Sequence, residues 1–77
     1  MNGYEDDKKL KQEELARYFS RASIKVHIKK KNGSWFNGFI KDVGSDFFII
    51  EDNVNGHEVV FFQELKNTIV EYQEEEK

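Results

Sequence analysis

The 77-residue chain is long enough for one small domain, and its lack of cysteine excludes disulfide bonds and a thiolate zinc site. No segment approaches the ~20 consecutive apolar residues of a membrane span, and the polar, acidic first ten residues are unlike a signal peptide, so we expect a cytoplasmic protein. The formal net charge of −3 conceals an asymmetry, because residues 15–41 carry seven basic and no acidic side chains, whereas residues 42–77 carry ten acidic and two basic ones.

The segment from about residue 5 to residue 20 is predicted to form a helix. Straight-chain helix formers dominate it, and neither glycine nor proline interrupts it. Leu15, Tyr18 and Phe19 follow the i, i+3, i+4 spacing of one helix face, but the resulting apolar stripe is narrow. We therefore expect an accessory helix that lies on the surface of the domain and does not anchor its core.

The apolar pattern changes from a helical period to strict alternation after residue 21. Apolar side chains at every second position of 24–28 predict a strand with one buried face. Asn32-Gly33 follows as a hairpin turn, because this pair tolerates the positive φ that tight turns need. Gly38 lies inside a second strand at 34–43. It predicts a sharp bend or a close approach of another backbone, since glycine otherwise weakens a strand.

The rest of the chain is predicted to supply three more short strands. In order, we expect a strand at 47–51, a turn at 53–56, a strand at 57–62, a single helical or 3₁₀ turn at 63–65 and a strand at 66–72. The predicted fold is mostly β: an N-terminal α-helix followed by a five-stranded, strongly bent antiparallel small β-barrel. One domain spans 1–72, with the barrel at about 23–72, and 73–77 is an acidic disordered tail.

Two spacings stand out in the first strands, namely Ile24-x-Val26-x-Ile28 and Gly33-x-x-Phe36-x-Gly38-x-Ile40. With the apolar third strand that follows, they resemble the first motif of the Sm-like family, which includes eukaryotic Sm and Lsm proteins, archaeal Sm-like proteins and bacterial Hfq. The resemblance covers about residues 22–72, and the preceding helix also suits the family. It implies a barrel of SH3-like topology and a homo-oligomeric ring of six or seven copies that binds single-stranded RNA.

The resemblance also implies how copies would meet. In Sm-like rings the fourth strand of one subunit pairs with the fifth strand of its neighbour. The doubly apolar character of the two segments here favours buried edges as well, and so small a domain usually needs a further source of stability. The predicted interface residues are Val59, Val60, Phe61, Phe62, Thr68, Ile69 and Val70.

The family contacts RNA through the loop after the bent second strand and through the turn after the fourth. The corresponding residues here are Ser45, Asp46, Phe47 and Gln63, and basic residues of the first half would hold phosphates: Lys29, Lys30, Lys31, Arg17 and Arg21. Phe47 is equally consistent with the core and with base stacking. The three lysines equally fit a solvated hairpin shoulder, and the two charge blocks could simply neutralise each other.

The outer face of the second strand allows two interpretations. Trp35 and Phe39 lie among lysines, an arrangement in which aromatic rings can stack on bases. We favour the alternative that the N-terminal helix covers both rings. His27 is expected to be a solvent-facing strand residue.

We find no arrangement of residues typical of catalysis, and no cofactor, metal or small-molecule substrate is expected. The sequence therefore predicts a binding protein whose partners are further copies of itself and single-stranded RNA, with no membrane involved. The acidic second half of the sequence supports an alternative function of a different class. In that alternative the chain is an oligomeric protein-interaction or structural β-barrel that has lost the RNA site.

Overall fold

The computed structural model describes the backbone of residues 3–74 and the side chains of residues 11–74. A helix precedes five short strands, as predicted, and the fold is mostly β. The elements are α1 (Gly3–Ala22), β1 (Val26–Lys29), β2 (Trp35–Val43), β3 (Phe47–Asp52), β4 (Gly56–Phe61), a 3₁₀ turn (Phe62–Glu64) and β5 (Val70–Glu71). The last strand is much shorter than the predicted 66–72. Of the predicted disordered tail, residues 75–77 lie outside the described residues.

All five strands belong to one antiparallel sheet with the order β4-β3-β2-β1-β5. The central strand β2 is the longest, and β5 adds to β1 through Val26↔Glu71 and His27↔Val70. Within the described residues, β4 and β5 are therefore the two outer edges of the sheet. The predicted closure of the barrel is not completed by pairing of these two strands within one chain.

One face of the sheet and the C-terminal half of α1 enclose a single apolar core. The alternation along β1 decides which side chains enter it, since Val26 and Ile28 are buried while His27 and Lys29 remain partly exposed. The buried apolar side chains are Ala16, Phe19, Val26, Ile28, Ile40, Phe48, Ile50, Val60, Phe62, Leu65 and Ile69.

The helix contributes more to the core than its sequence predicts. Ala16 and Phe19 are buried within the core, and Leu15 packs against it, whereas Tyr18 is exposed. Gln12 is also buried, and its side chain ties the helix to the segment before β5. There it accepts a hydrogen bond from the Ile69 N–H at 3.3 Å and donates one to a backbone carbonyl. The expectation of an accessory surface helix is wrong. Ala16 and Gln12 are buried beside the apolar residues, so the face of the helix that packs against the sheet is wider than the apolar stripe alone.

The curl of the sheet depends on Gly38, as its position inside a strand predicts. Gly38 is buried opposite β3, and a Cβ built on it would overlap the carbonyl oxygen of Glu51 and lie 2.7 Å from its carbonyl carbon. The strand pairing shifts by one residue between Ile40 and Asp42, where a β-bulge adds to the bend. A residue with any side chain would hold the two strands apart at this point.

The β3–β4 hairpin is held by a buried carboxylate that the sequence pattern does not single out. Asp52 accepts hydrogen bonds from the backbone N–H groups of Asn37 (3.0 Å), Val54 (2.9 Å) and Asn55 (2.9 Å), and from the Asn55 side chain (3.2 Å). Desolvation by burial acts to raise the pKa of Asp52, but the hydrogen bonds outweigh it and lower that pKa below 3.8. Folding therefore favours the ionised form of this carboxyl.

An Asp52→Asn variant is expected to lose about 1–3 kcal/mol of unfolding free energy at neutral pH, because the amide cannot accept all of these hydrogen bonds. The contribution of Asp52 is fully present above its ordinary pKa of 3.8 and is lost as the pH falls through the lower pKa of the folded state. Urea titrations at neutral and at acid pH measure both effects. The gap between wild type and variant should narrow in acid, while Asp42→Asn, at an exposed acid of β2, should open no comparable gap at neutral pH.

No helix within the described part of the chain is both long enough and apolar enough to cross a lipid bilayer.

Candidate functional site

The segments before and after β2 both contact the 3₁₀ turn, and we call these three segments the loop end (residues 30–33, 44–47 and 62–64). The Phe62 N–H donates to the Asp46 carbonyl oxygen at 2.9 Å, which joins the 3₁₀ turn to the loop between β2 and β3. The Lys31 N–H donates to the Glu64 carbonyl oxygen at 2.8 Å, which joins the same turn to the β1–β2 hairpin. Six of the predicted RNA-contacting residues are thereby brought together: Lys30, Lys31, Ser45, Asp46, Phe47 and Gln63.

An aromatic pair borders the loop end. The rings of Phe47 and Phe61 lie 6.1 Å apart between centroids and are tilted by 60°, and the two residues face each other across β3 and β4. Phe47 is half-buried, and Phe61 is 44% exposed. Phe47 is therefore not a core residue, and a planar ligand can reach the pair from solvent.

The lysines of the loop end differ in their availability. The Lys30 side chain is only 17% exposed, and its Nζ lies 3.6 Å from Glu64 Oε1 and 6.0 Å from the centroid of the Phe36 ring. Lys31, the next residue, is exposed at the hairpin, where Gly33 adopts a φ of 96°. Lys31 is thus the better placed of the two to meet a phosphate.

The remaining predicted cations lie elsewhere. Lys29 ends β1 on the outer face of the sheet, opposite Trp35. Arg17 forms an ion pair of 2.9 Å with Glu13 on its own helix, and Arg21 is exposed in the last helical turn. None of these three side chains takes part in the contacts described above that join the turns of the loop end.

A shallow groove of about 550 Å³ runs along the outer face of β1, β2 and β5. Trp35, which is 58% exposed, lines it together with Val70 and Tyr72. His27 is half-buried in the groove, and its Nδ1 donates to Asn37 Oδ1 at 2.6 Å. The expectation that the helix covers Trp35 is wrong, because α1 packs on the opposite face of the sheet, with the core.

Phe39, the other aromatic residue that the helix was expected to cover, lies farther along the outer face of β2. Its ring is half-buried, and Lys41 Nζ lies 5.9 Å from the ring centroid. Opposite Phe39 on β3 is Glu51, whose carboxylate lies 3.5 Å from Lys41 Nζ. The lysine next to this ring is therefore already paired with an acid of the same sheet.

The two edge strands present apolar side chains on the outer face of the sheet. Val59 and Phe61 on β4 are 51% and 44% exposed, and Val70 on β5 is 47% exposed. Val60, Phe62 and Ile69, which were also predicted at the interface, are buried in the core of their own chain, so their side chains are not available to a second copy. Thr68 is exposed before β5.

Glu64 is the main residue of the loop end that the sequence prediction left out of the site. Its Oε1 accepts the Phe61 N–H at 3.1 Å and lies close to Lys30, so it organises the turn and holds a cation at once. A glutamate three residues after the residue that precedes a helical turn is a known capping pattern. The spacing of Phe61 and Glu64 was therefore the sequence signal that could have indicated the role of Glu64 in this turn.

No protein-family model matches the chain, and no curated protein matches it. Among solved structures, the chain is similar to a 1.55 Å crystal structure of the pleiotropic translational regulator Hfq, with a TM-score of 0.66 and 14% sequence identity. The match covers 77% of this chain and 95% of that chain. The N-terminal helix and the five antiparallel strands in one sheet therefore correspond to the fold of Hfq and Sm proteins, as the sequence predicts.

Proposed function

We propose that this chain assembles through β4 and β5 into a homo-oligomeric ring of six or seven copies that binds single-stranded RNA at its loop ends. On this proposal it is a binding protein and performs no catalysis. The observation that carries the proposal is that, among the described residues, the sheet ends in two different edge strands, and each bears exposed apolar side chains.

Assembly is supported by the chemistry of these edges. An unpaired strand offers a row of N–H and C=O groups to another strand, and proteins normally protect such an edge. Here the edges instead carry Val59 and Phe61 on one side of the molecule and Val70 on the other. Pairing β4 of one copy with β5 of the next would join the backbones of the two strands and bury Val59 against Val70, while Phe61, at the end of β4, stays beside Phe47 at the loop end.

RNA binding is supported by what the loop end contains. The half-exposed aromatic pair of Phe47 and Phe61 offers stacking surfaces, Gln63 is exposed and has both donors and acceptors, and Lys31 is free to approach a phosphate. A ring would repeat this group of residues once per copy and so follow a strand over several nucleotides. A translational regulator also has the same fold.

A second candidate is an oligomeric protein-interaction barrel without an RNA site. It is favoured by the internal pairing of two cations that were expected to hold phosphates, since Lys30 pairs with Glu64 and Arg17 pairs with Glu13. On this alternative the loop end is a structural junction, and only the edges are functional.

A Lys31→Gln variant is expected to bind short fluorescent RNA oligonucleotides more weakly, by about the same factor for every sequence, because a phosphate contact carries no base information. The slope of log affinity against log salt should become shallower by about 0.7–1, the contribution of one phosphate contact. Fluorescence anisotropy at several salt concentrations measures both quantities. Lys30→Gln should change this slope less, because Lys30 is paired with Glu64 and is not expected to contact a phosphate itself.

Lys11→Gln, at an exposed position of α1 outside the three segments of the loop end, is the control for charge removal alone. If the wild-type protein binds no RNA even at low salt while it remains assembled, the interaction-barrel alternative is correct. If Lys11→Gln and Lys31→Gln weaken binding equally, RNA binds somewhere other than the loop end.

A further inference from the structure

Glu64 places a carboxylate beside the aromatic pair of the loop end. Its Oε1 accepts the Phe61 N–H at 3.1 Å, Lys30 Nζ lies 3.6 Å from the same oxygen, and its backbone carbonyl accepts the Lys31 N–H at 2.8 Å. These contacts fix both the backbone and the side chain of this residue. The acid is therefore held in position before any ligand arrives.

These two contacts of the Glu64 side chain leave its other carboxylate oxygen, Oε2, available as an acceptor within the described part of the chain. Among the described residues, the hydrogen bond and the ion pair of the Glu64 side chain both use Oε1, and the side chain is 39% exposed. Because the Phe61 N–H binds Glu64, the carboxylate lies next to the residue whose ring pairs with Phe47. A base stacked on these rings would present its polar edge near Oε2.

We propose that Glu64 makes the loop end select bases that carry an exocyclic amine, such as cytosine and adenine, over uracil. The inference rests on the proposed RNA binding at the same site. An ionised carboxylate accepts hydrogen bonds and donates none, and it pairs well with the N4 amine of cytosine. Uracil has a carbonyl oxygen at that position, and its single N–H lies between two carbonyl oxygens that a carboxylate would repel.

The pairing with Lys30 strengthens this selection. A free carboxylate at an RNA site repels the phosphate backbone, but Lys30 at 3.6 Å offsets most of that charge at short range. The site can therefore keep an acceptor for the base edge without excluding the strand. Lys30 acts on the base indirectly, as a positioning residue for Glu64.

The test compares labelled cytidine and uridine hexanucleotides on the intact assembly by fluorescence anisotropy. The two bases have the same size and differ at the 4-position and at N3, so stacking is closely matched. We expect the wild-type protein to bind the cytidine oligonucleotide about five- to tenfold more tightly, the lower range for one base-specific hydrogen bond. Adenosine and inosine hexanucleotides, which differ at the 6-position and at N1, should show the same order, with adenosine bound more tightly.

A Glu64→Gln variant keeps an oxygen for the Phe61 N–H but replaces Oε2 with a donor that suits the uracil carbonyl. The cytidine-to-uridine affinity ratio should fall to about one or invert, since the selected hydrogen bond is lost or reversed. The variant also frees Lys30 from its ion pair, which should raise the affinity for all RNA sequences. The quantity that tests the inference is therefore the cytidine-to-uridine affinity ratio and not the affinity itself. Glu14→Gln, an exposed acid of α1, should leave the ratio unchanged.

The outcomes separate this inference from the proposed function. A salt-dependent affinity with equal binding of cytidine and uridine, or a preference for uridine that Glu64→Gln does not alter, would overturn the selection by Glu64 and leave RNA binding intact. An absence of RNA binding at low salt would overturn both. Loss of selectivity in Glu14→Gln as well would show that charge, and not the position of Glu64, determines it.

Discussion

A Gly38→Ala substitution is expected to destabilise the protein strongly. The added Cβ would overlap the Glu51 carbonyl and lie 3.0 Å from the Cα of Asp52, and both neighbours are main-chain atoms that no rotamer change can move. Relief requires β3 to shift away from β2, which opens the core between Ile40 and Ile50. We expect a loss of more than about 3 kcal/mol, against a total stability of about 5–15 kcal/mol for an ordinary domain.

Circular dichroism and urea titration measure this loss, and Gly33→Ala is a matched control. Gly33 lies in open space with a φ of 96°, so alanine there meets no atom and should cost about 1 kcal/mol through backbone strain alone. If Gly38→Ala were no more destabilising than Gly33→Ala, the close approach of β2 and β3 would not be what bends the sheet.

Single charges on either edge are expected to reduce the assembly to separate copies. Val59→Lys on β4 and Val70→Glu on β5 each place a charge where the proposed contact buries an apolar side chain, and burying an unpaired charge costs several kcal/mol. The folded single chain should tolerate both, because each position is about half exposed. Native mass spectrometry and light scattering should give six or seven copies for the wild type and one for each variant.

Mixing the two variants distinguishes the possible geometries. Val59→Lys leaves β5 intact and Val70→Glu leaves β4 intact, so a β4-to-β5 contact predicts that the two variants assemble with each other in equal numbers although neither assembles alone. A symmetric β4-to-β4 contact predicts instead that Val70→Glu alone assembles normally. Val54→Lys, at the exposed tip of the β3–β4 hairpin, should assemble like the wild type.

The fold was predictable because its strongest signals are local. Alternation along β1, the glycine in β2 and the turn residues all act over a few positions, and each agrees with the structure. The contribution of α1 to the core was not predictable in the same way. Gln12 and Ala16 carry no apolar signal, and their burial depends on the long-range contact with the segment around Ile69.

The sequence also could not show which side chains of the edge strands are exposed. Residues 59–62 are all apolar, so no alternation indicates which of them enters the core. The register of β3 and β4 decides it, since Phe48 and Val60 pair on the buried face while Ile49 and Val59 pair on the outer face. The sequence therefore predicted the strand but could not separate its exposed side chains from its core side chains.

The sequence predicted the loops of the candidate site but not the contacts between them. The resemblance to Sm-like proteins indicated the loops, and six of the predicted residues lie in the three segments that meet at the 3₁₀ turn. The partners of the cations could not be predicted, because Lys30 and Glu64 are far apart in the sequence and meet only through the 3₁₀ turn. Their pairing changes which lysine is expected to matter.

Since β4 and β5 are different surfaces, a contact between them repeats the same rotation at every added copy. Such a series closes only when a whole number of copies completes one revolution, and otherwise it grows without limit as a helical filament. In this molecule the rotation is the angle between the two edges, which the curl at Gly38 and the bulge between Ile40 and Asp42 determine. On the proposed assembly, a mild change at the bulge that alters this angle without unfolding the sheet would therefore change the number of copies in the ring or open it into a filament.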